Sequence, residues 1–364
     1  MKDTDASGTQ ASRRAFDPNS AADPDSGIFG LPHSFETAKL IFLPVPWEAT
    51  TSYGGGTSKG PGAILEASYQ VDLFDLEVDR PYEAGMFLLP ESKKIRAWNK
   101  AGKAAAQKVI RAGGRVGKNK ALAKALAEVN KLSRQVNEEV RRESARILKE
   151  EKVLALVGGD HSTPFGAFEA LAEKVGDFGI LHVDAHSDTR EAYEGFEFSH
   201  ASILRNVMDR VPHAKKLVQV GIRDFCEEEW DYIRASRGRI TTFFDLDLQK
   251  RKAEGTAWRK LAAEIVSHLP DKVWISFDID GLDPRFCPNT GTPVPGGLDY
   301  AEAVILIGEV ARSGRTIVGF DLNEVAPGED SEWDANVGAR LLYKLAAWTL
   351  ASRRIRPLLT APRT

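Results

Sequence analysis

The stretch that decides the fold reads Phe178-Gly179-Ile180-Leu181-His182-Val183-Asp184-Ala185-His186-Ser187-Asp188. Its first six residues are mostly apolar without strict polar alternation, the pattern of a strand buried on both faces, and acids and histidines follow at once. Two other segments repeat the arrangement. Residues 153–157 lead into Gly158-Gly159-Asp160-His161-Ser162, and residues 273–277 lead into Asp278-Ile279-Asp280. His161, Asp184, His186, Asp188, Asp278 and Asp280 therefore stand at the carboxyl ends of buried strands. An unpaired buried charge costs several kcal/mol or shifts its pKa until it neutralises, so a bound cation is the economical partner for such a set. Mixed Asp/His donors suit manganese, nickel, zinc or iron(II).

Outward from these segments, residues 38–45, 217–222, 240–244 and 316–320 also read as strands, separated mostly by segments of helical character. Leu122, Leu126, Val129, Leu132, Val136, Val140 and Ile147 recur at three, four or seven residues and form the apolar stripe of a long helix ending near Lys149. Alternating strands and helices imply an α/β fold with a parallel, doubly wound sheet, whose ligands gather beyond the carboxyl ends of the strands. The acid and histidine clusters fall at those ends. Residues 28–364 read as one folded unit, residues 1–27 as a mobile tail with little to bury, and residues 91–120 as a basic surface insertion.

Composition narrows the function classes. With 42% hydrophobic and 28% charged residues, the chain of 364 is an ordinary globular one. No apolar run approaches the roughly 20 residues of a spanning helix, which argues against a membrane protein. The first residues lack a secretory signal core, so a cytoplasmic location is expected. Cys226 and Cys287 are too few for a disulfide framework and read as reduced thiols. A net charge of −3 provides no general field for nucleic acid.

Residues two apart share a face of a strand, so Asp184, His186 and Asp188 aim at one point if the extended backbone continues past Val183. Asp278 and Asp280 repeat that spacing. His182 has the same parity but lies inside the apolar run, as a packed, hydrogen-bonded core histidine would. Gly54-Gly55-Gly56 either lets backbone approach a ligand closely or is a flexible connection.

Taken together, Gly158-Gly159-Asp160-His161-Ser162, Asp184-Ala185-His186-Ser187-Asp188 and Ser276-Phe277-Asp278-Ile279-Asp280-Gly281-Leu282-Asp283-Pro284 resemble the three signatures of the ureohydrolases, the arginase and agmatinase family. The resemblance extends through Gly54-Gly55-Gly56-Thr57-Ser58-Lys59-Gly60-Pro61, Phe198-Ser199-His200, Gly291-Thr292-Pro293 and Gly319-Phe320-Asp321-Leu322-Asn323-Glu324-Val325-Ala326-Pro327, covering about residues 38–350. It implies a three-layer arginase-like α/β fold with a mainly parallel sheet flanked by helices. It also implies two divalent ions per chain, manganese in the usual case and nickel as an alternative, and a homo-oligomer, commonly a trimer or hexamer. Carried over by position, His161 and Asp188 would hold one ion, His186 and Asp280 the other, with Asp184 and Asp278 bridging. His200, Asp188 and Glu324 would be catalytic; His200 would move protons, and Glu324 would pair with a guanidinium through charge-assisted hydrogen bonds.

The expected reaction is hydrolysis of a small guanidino compound to urea and an amine, with agmatine ahead of free guanidine and guanidinobutyrate. Ala201-Ser202 stand where the agmatinase pattern has Gly-Thr, and the loop 189–196 is unusual, so substrate is less fixed than reaction type. A metal-dependent hydrolase of acetylated polyamines is the alternative from a different class.

Overall fold

A computed structural model describes residues 16–23 and 25–359. Of the expected tail, residues 1–15 and 24 lie outside the described residues; closer in, Ile28, Phe29 and Leu31 are buried. The elements run β1 (Leu40–Val45), α1 (Gly60–Ser68), β2 (Met86–Leu88), α2 (Lys93–Ile110), α3 (Lys120–Lys149), β3 (Val153–Gly158), α4 (Phe165–Val175), β4 (Phe178–Val183) and α5 (Ile203–Arg210). They continue as β5 (Ala214–Ile222), α6 (Glu227–Ala235), β6 (Ile240–Phe244), α7 (Asp245–Ala253), α8 (Trp258–Ser267), β7 (Lys272–Asp278), α9 (Tyr300–Arg312), β8 (Thr316–Asn323) and α10 (Trp333–Ser352).

The eight strands form one sheet in the order β2-β1-β3-β8-β7-β4-β5-β6, with every pairing parallel. Successive side chains of a strand point to opposite faces, and the core divides accordingly. Leu40 and Phe42 of β1 join the layer of α1, α8, α9 and α10, whereas Ile41, Leu43 and Val45 join that of α3, α4 and α5. This is why the strands read as unbroken apolar runs. The inner strands β1, β3, β4, β7 and β8 are buried on both faces, whereas the edge strands β2 and β6 are mostly half-buried.

Helix α3 begins at Asn119, whose side chain accepts from the backbone N–H groups of Ala121 and Leu122, a standard N-cap. Its stripe, including Val129, Leu132, Val136, Val140 and Ile147, is buried. Where α3 meets α4 the backbones touch: a Cβ on Gly166 would lie 2.0 Å from the Asn137 carbonyl oxygen. The basic stretch 91–120 contains α2, which buries Ile95, Gly102, Ala106 and Val109 and leaves Lys93, Lys94, Arg96, Lys100 and Lys108 outward. Ala106 and Val109 pack with Ala125, Val129 and Phe196. The α2–α3 hairpin thereby props the loop 189–197 as well as the body.

Gly166→Val should cost about 1–3 kcal/mol or more, because a crowded backbone contact must open. Urea unfolding would read this; an unchanged midpoint would mean that α3 and α4 do not meet there.

Candidate active site

The segments of interest leave four adjacent central strands, β3, β8, β7 and β4. Chain leaving β3 and β4 passes into α4 and α5 on one face, and chain leaving β7 and β8 passes into α9 and α10 on the other. Connections that diverge in this way open a crevice at the carboxyl ends of the strands between them. Residues 159–162, 184–188, 278–280 and 323–324 all face it.

All six sequence-selected donors converge there. Asp184 holds the centre: its Oδ2 lies 3.0 Å from His161 Nδ1, while its Oδ1 lies 3.5 Å from His186 Nδ1 and accepts from the His186 backbone N–H at 2.6 Å. Asp188 and Asp278 each bring an oxygen to His161 Nδ1, at 3.4 and 3.2 Å. Asp280 Oδ2 is 3.1 Å from His186 Nδ1. Two donor groups capable of holding a metal ion follow, one of His161, His182, Asp184 and Asp188, the other of Asp184, His186 and Asp280. They share Asp184.

The convergence is not achieved by strand parity. β4 ends at Val183, and Asp188 turns into the site with a left-handed φ of 56°. Such a backbone conformation is uncommon outside glycine. Turn hydrogen bonds hold the segment: Ala185 N–H donates to Asp280 Oδ1 at 3.0 Å, and Asp280 N–H to Asp278 Oδ1 at 2.8 Å.

Charge decides what the site fits. Asp160, Asp184, Asp188, Asp278, Asp280, Asp321 and Glu324 are at most 4% exposed. Among the described residues no lysine or arginine is buried, and none forms an ion pair with these seven. Burial, then the charge of Asp184, pushes the Asp188 carboxyl well above the usual range; burial and then Asp280 do the same to Asp278. Burial alone would lower the His161 and His186 imidazoles, yet hydrogen bonds and charge from the surrounding aspartates hold both well above it. A buried, under-compensated set of oxygen and imidazole donors fits divalent cations.

At the mouth stand Glu324 and His200. Glu324, with φ 62°, accepts from the His161 backbone N–H through Oε1 at 2.9 Å, while its buried Oε2 has no hydrogen-bond partner. A Cβ on Gly291 would lie 3.2 Å from that free oxygen, so glycine keeps the space beside it open. His200 Nδ1 is 3.4 Å from Thr50 Oγ1, which donates to Asp160 Oδ2 at 3.1 Å. Enclosure of the His200 ring and then the charge of His186 push its imidazole down to about 4, so it is neutral here.

Sequence reasoning overlooked several neighbours. Thr50 lies in a loop of polar residues with nothing to single it out. Glu48 is buried, accepts from the backbone N–H groups of Gly56 and Ser58 at 2.7 and 3.0 Å, and pairs with Lys103 of α2. The glycine segment is thus tied down. Ala201-Ser202 form a short turn in which Ser202 Oγ accepts from the Ser199 N–H at 3.0 Å and donates to the Glu197 carbonyl at 2.9 Å.

The sequence model of the Arginase family matches residues 38–347. The chain belongs to the arginase family. It is 33% identical over 311 residues to the N(1)-aminopropylagmatine ureohydrolase of Thermus thermophilus, covering 85% of this chain and 89% of that protein. It is 28% identical to the agmatinase of Bacillus cereus, covering 84% and 90%. The crystal structure of agmatine ureohydrolase of Thermoplasma volcanium has the same fold, at a TM-score of 0.67 and 24% identity over 89% of this chain and 94% of that one. This arginase-family protein is accordingly a ureohydrolase, a hydrolase of amidino C–N bonds. Among its described residues no helix is long and apolar enough to cross a membrane.

If the cluster takes metal, manganese or nickel at a hundredfold over Kd should stabilise the metal-free protein by about 2.7 kcal/mol per independent site. The shift in thermal unfolding should grow with pH, since protons compete for the donors. Asp184→Asn should remove most of it; an identical shift in that variant would take Asp184 out of the metal site.

Proposed function

We propose that the site holds two divalent ions and hydrolyses a small guanidino compound to urea and an amine. His161 and Asp188 serve one ion and His186 and Asp280 the other, with Asp184 and Asp278 between them. The observation that carries this reading is Asp184, whose two oxygens face two different histidines inside a pocket of under-compensated carboxylates. Manganese is the favoured ion. When bound, such a pair activates water as a nucleophile near neutral pH and stabilises charge developing on the attacked centre.

The chain's own residues would do the rest. Glu324 Oε2, buried and unpartnered, accepts from the N–H groups of the substrate guanidinium, and a cation beside it restores a carboxylate that burial otherwise pushes well above its usual range. Gly291 leaves room for that planar group. His200 enters neutral, with Nδ1 turned to Thr50, so Nε2 takes a proton from the attacking water and passes one to the departing nitrogen. The C–N bond breaks, the water oxygen stays on carbon as the urea carbonyl, and the amine leaves protonated. A homo-oligomer, trimeric or hexameric, is the expected assembly.

Agmatine is the first candidate substrate, supported by the relatives whose names include agmatinase and N(1)-aminopropylagmatine ureohydrolase. One observation favours a shorter compound. The Tyr193 ring stands edge-on to His200 at 5.9 Å, with the Arg190 guanidinium 5.0 Å from the centre of the Tyr193 ring. A crowded mouth suits free guanidine, hydrolysed to urea and ammonia, with nickel as the ion.

His200→Ala should reduce kcat about 100-fold or more while metal content measured by elemental analysis stays the same. Loss of metal in that variant would make His200 a ligand instead. Comparing kcat/KM for agmatine, N(1)-aminopropylagmatine, guanidine, guanidinobutyrate and arginine, each with manganese and with nickel, tests the substrate. Agmatine or its aminopropyl derivative should lead, guanidine in front would establish the shorter reading, and arginine in front would refute both.

A further inference from the structure

Below the cluster, five buried or half-buried polar side chains cross the sheet in one rung. Thr242 of β6 is in register with Gln219 of β5, Gln219 with His182 of β4, His182 with Ser276 of β7, and Ser276 with Asp321 of β8. Register partners in a parallel sheet share a face, and this face is otherwise packed with apolar side chains against α3, α4 and α5. Gln219, His182, Ser276 and Asp321 have no exposed surface. A polar row in such a place must be satisfied within itself, and its hydrogen bonds can be followed donor by donor.

The chain of donors starts at Thr242. Its hydroxyl donates to Gln219 Oε1 at 2.9 Å, which makes that atom the amide oxygen. Gln219 Nε2 donates to the Ser187 carbonyl at 2.7 Å, which fixes the other end of the amide independently. The same nitrogen faces His182 Nδ1 at 3.2 Å, so Nδ1 must present its lone pair. A neutral histidine then carries its proton on Nε2, and Nε2 donates to Asp184 Oδ2 at 2.8 Å. The opposite tautomer would set donor against donor at Gln219 and lone pair against carboxylate at Asp184, between side chains with no exposed surface.

We propose that His182 is a positioning residue, locked by Gln219 and Thr242 as the Nε2–H tautomer, which donates to Asp184 and so sets the affinity of the site for its cations. The proposal rests on the reading of Asp184 as a shared metal ligand. His182 belongs to one of the donor groups by distance, but with Nδ1 engaged and Nε2 protonated neither nitrogen has a lone pair to give an ion. Its bond falls on Oδ2, the oxygen that also faces His161, and leaves Oδ1 to the His186 side. One lone pair of Oδ2 is thereby occupied and the carboxylate plane is held. Partners of this kind, one bond removed from a metal, typically change its affinity by about 10–100-fold.

Three measurements test the proposal in the full-length protein. Nitrogen-15 spectra of histidine-labelled, metal-free protein should show His182 neutral with the proton on Nε2, and Gln219→Glu, which sets a carboxylate against Nδ1, should add a proton at Nδ1 while Nε2–H stays on Asp184; a wild-type proton on Nδ1 overturns the proposal without reference to metal. Chelator competition with manganese should give His182→Phe an affinity about 10–100-fold below wild type, whereas His182→Gln, whose amide nitrogen can still donate to Asp184, should recover most of it. Equal affinities for wild type and His182→Phe overturn the proposal, as does a loss that His182→Gln fails to restore. At saturating metal, KM in His182→Phe should stay at the wild-type value, which a general collapse of the pocket would not allow. A wild-type chain that takes up no metal sinks the assignment of Asp184 first, and that failure is visible before any variant is compared.

Discussion

The constraint on which the rest depends is the burial of seven carboxyl groups at the ends of four neighbouring strands, with no lysine or arginine side chain among the described residues paired to them. Such an assembly is unstable by itself, since each ionised group raises the cost of ionising the next. Two consequences follow for the architecture. The segments carrying the acids are tied by backbone N–H donors, as Asp278, Asp280 and Asp184 all accept from the turns that hold them. The layers beneath are packed tightly enough to resist distortion, with large apolar side chains on both faces of the sheet.

Within that frame the site separates into a floor and a rim with different chemistry. The floor is anionic, closed and built on strand ends. The rim is built on loops, and its two groups of interest are each left with one free valence: Glu324 has an unpartnered oxygen, and His200 has one nitrogen turned to Thr50 and the other left over. A substrate that is both planar and cationic meets the first, and a nucleophile that must lose a proton meets the second. Under the proposed reaction both are needed, and this crevice supplies the free carboxylate oxygen and the imidazole together.

Much of this was legible in the sequence because the same residues carry fold and chemistry. Apolar runs ending in Asp and His mark both the central strands and the donor set. The long helix was readable from its stripe. The parts that escaped are those in which local pattern says little. β2 has three residues, too few for periodicity, and α2 hides its narrow apolar stripe, Ile95, Gly102, Ala106 and Val109, among lysines and alanines. Strand parity brought Asp184, His186 and Asp188 together for the wrong reason, since a left-handed turn at Asp188 does what an extended strand was expected to do. The rung through Gln219, His182, Ser276 and Asp321 depends on register between distant segments, which no single strand contains. Its one trace was a lone polar residue within three of the apolar runs, His182, Gln219 and Ser276.

The hairpin of α2 and α3 reaches both sides of the rim, through Lys103 to Glu48 and the glycine segment, and through Ala106 and Val109 to Phe196. Among the described residues it makes no hydrogen bond or ion pair with the metal-type side chains of the floor. The walls of the opening and the carboxylates beneath it thus rest on different supports: the walls lean on a peripheral pair of helices, and the carboxylates stand on the ends of the central strands.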